Sequence, residues 1–151
     1  MNNMHIIQAS VKDLEELAPL FDQYRIFYNQ ESNLKDAEQY LSDRMEHQES
    51  VIFIAKDLHT DRITGFTQLY PSFSSISMKR SWILNDLFVQ DEYRGLGIAR
   101  QLLNEAKDYA LLTKAKGIEL STSYLNIKAQ KLYESLGYEK DNEFYHYYLT
   151  L

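Results

Sequence analysis

Trp82-Ile83-Leu84-Asn85-Asp86-Leu87-Phe88-Val89, then Gln90-Asp91-Glu92-Tyr93, then Arg94-Gly95-Leu96-Gly97-Ile98-Ala99-Arg100-Gln101-Leu102-Leu103 is the stretch on which the fold turns. Residues 82–89 form an apolar, β-branched run, the pattern of a mostly buried strand. Further on, apolar residues fall at Ile98, Leu102, Leu103, Ala106 and Ala110, a helical period. Between the two lie Gly95 and Gly97, two of the chain's five glycines. A strand, a glycine turn and a helix start make a site for an anion. Glycine lets the backbone approach a phosphate closely, and the unpaired amides of the first helical turn point at it. Arg94 and Arg100 add positive charge on either side. The spacing predicts a loop that holds a diphosphate.

Upstream of that loop, residues 4–9 alternate weakly and read as a strand. Ser10 and Asp13 resemble a capping box, opening a helix whose apolar face carries Val11, Leu14, Leu17, Ala18, Leu20 and Phe21. Pro19 sits inside this pattern and is expected to kink or divide it. An aromatic segment, residues 24–29, precedes a second helix over 34–47. Strands follow at 51–55, 63–70 (ended by Pro71) and 81–89, a β-meander. A long helix is expected over 97–113, a strand over 117–122, a short helix over 126–136 closed by Gly137, and a last strand over 144–149. Only the units spanning 97–136 read as parallel crossovers. The order β-α-α-β-β-β-α-β-α-β implies an α/β fold of one domain over 1–151, a mixed sheet with helices on its faces.

The chain has 151 residues, enough for a sizeable core, with 44% hydrophobic and 25% charged residues, as in soluble globular proteins. A net charge of −6 argues against nucleic-acid binding by phosphate neutralisation. The absence of cysteine removes disulfides, zinc–thiolate sites and thiol catalysis. No apolar run reaches membrane-spanning length, the first residues do not read as a signal peptide, and the four histidines show no metal-ligand spacing. The expectation is a cytoplasmic protein with no metal, no nucleic-acid partner and no membrane partner.

Three phosphate-loop patterns compete. The P-loop string Gly-x-x-x-x-Gly-Lys-Ser/Thr does not occur. The dinucleotide fingerprint Gly-x-Gly-x-x-Gly is met at Gly95 and Gly97 but has Arg100 in third place, although Glu119 lies at a suitable distance for a ribose contact. That fold usually starts with this unit, whereas two helices and three strands precede it here. The third pattern is a family likeness. Arg94-Gly95-Leu96-Gly97-Ile98-Ala99 resembles the Arg/Gln-x-x-Gly-x-Gly/Ala signature of the GNAT superfamily of N-acetyltransferases. Downstream, Asn126-Ile127-Lys128-Ala129-Gln130-Lys131-Leu132-Tyr133-Glu134-Ser135-Leu136-Gly137-Tyr138 is similar to that family's Asn-x-x-Ala-x-x-Leu-Tyr-Glu-x-x-Gly-Phe/Tyr block.

The resemblance implies a GNAT fold, with a central mixed, mostly antiparallel sheet of six to seven strands and helices on both faces. It implies acetyl-CoA as cosubstrate and transfer of acetyl to a primary amine of a small molecule, such as a polyamine or amino acid, by direct attack. The amides of Gly95, Leu96, Gly97, Ile98, Ala99 and Arg100 would take the diphosphate. Leu87, Phe88 and Val89 would offer main-chain partners to the pantetheine where their strand splays from the next, and Asn126 would hydrogen-bond the cofactor. Tyr133 resembles the family's general-acid tyrosine, whose proton helps a thiolate leave; the same residue could be a core aromatic of its helix. An alkyl amine with a pKa of about 10.4 must lose a proton before it attacks. Asn85-Asp86-Leu87-Phe88-Val89 looks like the Glu-Asp-Phe-Phe-Val string of the diamine and polyamine branch, where the first acid is a candidate base. Asn85 cannot fill that role. Asp86 remains, turned by strand alternation to the face opposite Asn85, and Glu119 could serve through water. Tyr24, Phe27, Tyr28 and Trp82 are candidate acceptor walls, with Asp22 and Glu31 as cation attractors. Family habit implies a homodimer, with the tyrosine-rich last strand a candidate interface. Alternatives are a protein or histone N-acetyltransferase, and a non-catalytic acyl-CoA-binding regulatory domain.

Overall fold

In a computed structural model describing residues 3–151, the meander of the middle of the chain is the backbone of the sheet. The strands are β1 (Met4–Gln8), β2 (Val51–Asp57), β3 (Ile63–Ser74), β4 (Lys79–Val89) and β5 (Ile118–Glu119), and they lie in the order β1-β2-β3-β4-β5. The first four are mutually antiparallel, and β5 alone joins in parallel. The helices are α1 (Leu14–Phe27), α2 (Leu34–Glu46), α3 (Ile98–Leu112) and α4 (Ile127–Ser135). The described chain divides into two compact units, one ending at Leu120 and the other Ser121–Leu151.

In the first unit the two faces of the sheet carry different helices. Ile54, Phe66 and Phe88 face one another in register across β2, β3 and β4, and with Leu17, Phe21 and Leu41 of α1 and α2 they form the main core. Phe53 and Trp82 point the other way, each in ring contact with Tyr109 of α3. The apolar stripe Ile98, Leu102, Leu103, Ala106 and Ala110 is buried, as the helical period requires. Full burial of Ile98, Leu102 or Leu103 contributes about 1.5–3 kcal/mol each.

Five expectations need correcting. The sheet has five strands among the described residues, not six to seven. Residues 144–149 enter no ladder, and Tyr145, Tyr147 and Tyr148 are exposed: alternation and aromatic content give strand propensity, but a ladder needs a partner strand. The strand placed over 117–122 pairs only at Ile118–Glu119. Pro19 does not divide α1; its ring faces solvent, and a proline forfeits a single backbone bond while the buried face of the helix stays intact. Pro71 does not end β3. Beyond Leu69 that strand has no β2 neighbour, so Pro71, opposite Trp82, lies where β3 is an edge and can do without one donor.

Candidate functional site

β4 does two things that local pattern does not show. Its register to β3 slips between Gln68↔Asp86 and Leu69↔Leu84, so Asn85 is an extra residue in β4. A bulge reverses the alternation of side chains. Trp82 therefore packs toward α3, its Nε1 donating to Thr113 Oγ1 at 3.0 Å, while Asp86 and Phe88 face α1. The expected separation of Asn85 from Asp86 is overturned: Asn85 Nδ2 donates to Asp86 Oδ1 at 2.9 Å. Secondly, β4 pairs with β5 only at Trp82↔Ile118 and Ile83↔Glu119. Past Ile83 the pairing stops, and among the described residues no strand pairs with the β4 edge at Leu84, Leu87, Phe88 and Val89 on that flank.

That open edge runs into the glycine loop. Gly95 and Gly97 both hold left-handed backbone, with φ of +78° and +81°. At these angles a side chain is strained, so glycine is needed here for conformation. Gly97 is the N-cap of α3 and has no side chain with which to cap it; no acidic residue occupies the first turn, where Ile98, Ala99 and Arg100 follow. The helix thus presents a positive terminus without an internal carboxylate. Arg94 is anchored beside it. Its Nε donates to Val89 O at 2.8 Å, its Nη1 pairs with Asp91 Oδ1 at 2.7 Å, and its guanidinium lies 5.4 Å from the Phe27 ring and 5.3 Å from that of Phe88. This residue ties the loop to the end of β4 and to α1. A cavity of about 360 Å³ opens there, lined by Gln23, Ile26, Phe27, Phe88, Asp91 and Arg94.

Asp86, a candidate from the sequence, is buried on β4, 3% exposed. Its carboxylate accepts from Gln68 Nε2, Tyr24 and Asn85. Burial pushes its pKa above the ordinary carboxylate range, and these three donors pull it part of the way back. Among the described residues no lysine or arginine pairs with it. Tyr24 is half-buried, its hydroxyl 3.5 Å from Asn85 O and its ring in contact with Tyr28, Phe66 and Phe88. Along β3 the polar face continues to Tyr70, whose hydroxyl shares a 2.7 Å hydrogen bond with Tyr40 of α2. Burial first, and that bond second, push the Tyr70 phenol well up.

The other candidates fall elsewhere. Trp82 is a core residue on the α3 face, so it does not line a pocket with Tyr24. Glu119 lines a cavity of about 340 Å³ with Ser72, Ser81 and Lys116, at the opposite end of β4 from the glycine loop. Asp22 is committed to the α1–α2 connection: its two oxygens accept from Ser32 Oγ at 2.6 Å and Asn33 N at 2.8 Å. In the second unit, Asn126 caps α4 by accepting from Ala129 N at 3.2 Å, and Tyr133 is half-buried with its ring 5.9 Å from that of Tyr138. Gln68 was not anticipated from sequence. The available signal was a glutamine inside a strand whose neighbours Phe66 and Leu69 are apolar. Among the described residues no three His, Cys, Asp or Glu side chains gather as metal ligands, and no helix is long and apolar enough to cross a membrane.

Comparison with known proteins bears on these elements together. Residues 14–138 match the Acetyltransferase (GNAT) family. An uncharacterised N-acetyltransferase of Bacillus subtilis, YhfO, is 51% identical over 148 residues, covering 98% of each chain. A crystal structure of a probable acetyltransferase is 46% identical and superposes with a TM-score of 0.93 over 97% of both chains. A predicted acetyltransferase of Clostridium acetobutylicum, whose structure was determined with acetyl-CoA, shares the fold at a TM-score of 0.76 and 19% identity, over 96% of each chain.

Proposed function

The chain belongs to the acetyltransferase (GNAT) family, and from that premise we propose that it transfers acetyl from acetyl-CoA to the primary amine of a small molecule. One observation carries the reading: the opened edge of β4 and the left-handed Gly95 and Gly97 meet at one end of the strand. An elongated ligand with amides at one end and a diphosphate at the other suits that pairing. Its amides would meet main-chain groups of Leu87, Phe88 and Val89, and its diphosphate the first turn of α3.

Asp86 receives the proton that the acceptor ammonium must lose. Its raised pKa makes it a stronger base than an exposed carboxylate, and Asn85 and Tyr24 orient it. The amine then attacks the thioester carbon directly, with a main-chain amide near Leu87 stabilising the oxyanion. Tyr133 supplies the proton to the departing thiolate, and Asn126 contacts the cofactor. An enclosed acid beside Tyr24, whose ring contacts Tyr28 and Phe88, favours a small cationic acceptor, polyamines among them, over a protein tail. Under the same reading residues 1–151 are one catalytic domain working in the cytoplasm, paired as a homodimer through the aromatic residues 144–149.

Thiol release from acetyl-CoA, followed with a panel of polyamines, amino acids and aminoglycosides, tests the proposal. Turnover with one class identifies the acceptor. Heat of acetyl-CoA binding without turnover on any amine would establish a non-catalytic acyl-CoA-binding domain instead. Release only with peptides would redirect the reading to protein acetylation.

A further inference from the structure

We propose that Gln68 is a positioning residue for Asp86, holding one carboxylate oxygen through its side-chain amide so that the other stays turned to Asn85. The inference rests on Asp86 being the proton acceptor. Gln68 and Asp86 are direct partners across β3 and β4, at the last pair before the register slips. Gln68 Nε2 donates to Asp86 Oδ2, whereas Asn85 Nδ2 donates to Oδ1. The two oxygens of the acid are thus addressed from different sides. The Oδ1 side belongs to the exposed Asn85, and the Oδ2 side to the sheet interior.

Two features separate this from ordinary packing. Gln68 is 0% exposed, and its Oε1 has no hydrogen-bond partner. Leaving a buried carbonyl unpaired costs stability. An apolar residue would avoid that cost, since β3 carries Phe66 and Leu69 on either side at equal burial. The half-satisfied amide is retained in a strand where only one of its atoms has a use, and that use is the carboxylate. The bulge at Asn85 supplies the second feature. Were β4 to run regularly through Asn85, with no bulge, Asp86 would share the face of Leu84 and Trp82, and Gln68 would face no acid.

The groups that bear on the titration of Asp86 come from every packed element. Tyr24 reaches it from α1 and Gln68 and Tyr70 from β3, while Tyr40 and Arg44 of α2 act on Tyr70. Of these, Gln68 is a neutral donor to the charged form from within the sheet. Removing it raises the Asp86 pKa, so a higher pH is needed to ionise the acid.

The experiment compares wild type with Gln68→Met, which keeps length and volume but has no donor. Aspartate carboxyl carbons are labelled with 13C, and the Asp86 signal is assigned by its loss in Asp86→Asn. The Asp86 midpoint is expected to rise by about one to two pH units, the equivalent of one hydrogen bond to a charged group. The acid limb of kcat/KM moves by the same amount, with the KM for acetyl-CoA unchanged. Gln68→Glu, an isosteric change, is the second variant should Gln68→Met fail to fold; two facing carboxyls then share a proton, and the first ionisation moves down while the second moves up. A midpoint and pH profile that superimpose on wild type overturn the role of Gln68 while leaving acetyl transfer intact. A wild-type protein inert toward every amine overturns the acetyl-transfer reading itself, and with it the catalytic meaning of this pair.

Discussion

Gly97→Ala isolates the contribution of left-handed backbone to the anion loop. Gly97 stands at φ +81° and ψ 13°, and a Cβ built there meets nothing within 4 Å. Steric overlap with neighbours therefore adds nothing, and the whole effect of the methyl group is conformational strain of about 1–2 kcal/mol. That strain has two places to appear. If the loop keeps its shape, the native state is destabilised, and a chain of this size loses about 2–4 °C in Tm per kcal/mol. If the loop relaxes to negative φ, stability is spared but the first-turn amides of α3 turn away. Acetyl-CoA must then restore the strained form, and affinity falls about 5–30-fold. The two losses are linked, so their free energies should sum to the strain. Thermal unfolding by circular dichroism gives the first, and titration calorimetry with acetyl-CoA the second. Gly97→Asn, which tolerates this region better, should lose less by both measures. If Gly97→Ala changed neither Tm nor affinity, the left-handed turn would not be what organises the loop, and the diphosphate site would have to be sought elsewhere.

Gly65→Ala works by contact rather than by strain. Its Cβ would stand 2.9 Å from the main-chain oxygen of Phe88, which the β3–β4 ladder holds, so overpacking of about 1–3 kcal/mol is expected; an unchanged thermal midpoint would show that β4 yields freely there. Tyr133→Phe should lower kcat by about 10²–10⁴ with acetyl-CoA affinity preserved, and an unaltered rate would remove Tyr133 as the proton donor. Asp86→Asn should reduce kcat by a similar factor of about 10²–10⁴, and it should also change how stability depends on pH. Because the folded-state pKa of Asp86 is raised above its ordinary 3.8, the native chain binds that proton more tightly than the unfolded chain does. Its stabilising contribution is full in acid and is lost as pH rises from the ordinary value through the folded one. Urea midpoints followed upward from about pH 4 should therefore decline less steeply in Asp86→Asn than in wild type, and identical slopes would refute the raised pKa.

What could be read from the residues alone was local. The glycine loop was legible because a left-handed turn and a helix start are each specified by a few consecutive residues, and Ile98 to Ala110 announced the buried face of α3 by period. The core of α1 was legible for the same reason, since a buried stripe needs no knowledge of its partner. Pro19 apart, the misreadings are properties of pairing. Pro71 sits in β3 because β2 has already ended beside it, and nothing near Pro71 in sequence says where β2 stops. Residues 144–149 have the alternation of a strand, but a ladder belongs to two segments. The consequential case is Asn85. Strict alternation along 82–89 would put Trp82 and Asp86 on one face and part Asp86 from Asn85. One extra residue in β4, visible only in its register with β3, sends Trp82 to α3 and Asp86 toward Tyr24. Asp86 could therefore be named as a candidate from sequence, whereas its neighbours could not, and the chemistry of a carboxylate depends on its neighbours. Gln68 shows the remaining route to such information. A glutamine within an apolar central strand must be satisfied by something across the sheet, so a buried amide of this kind points to its partner before the pairing is known.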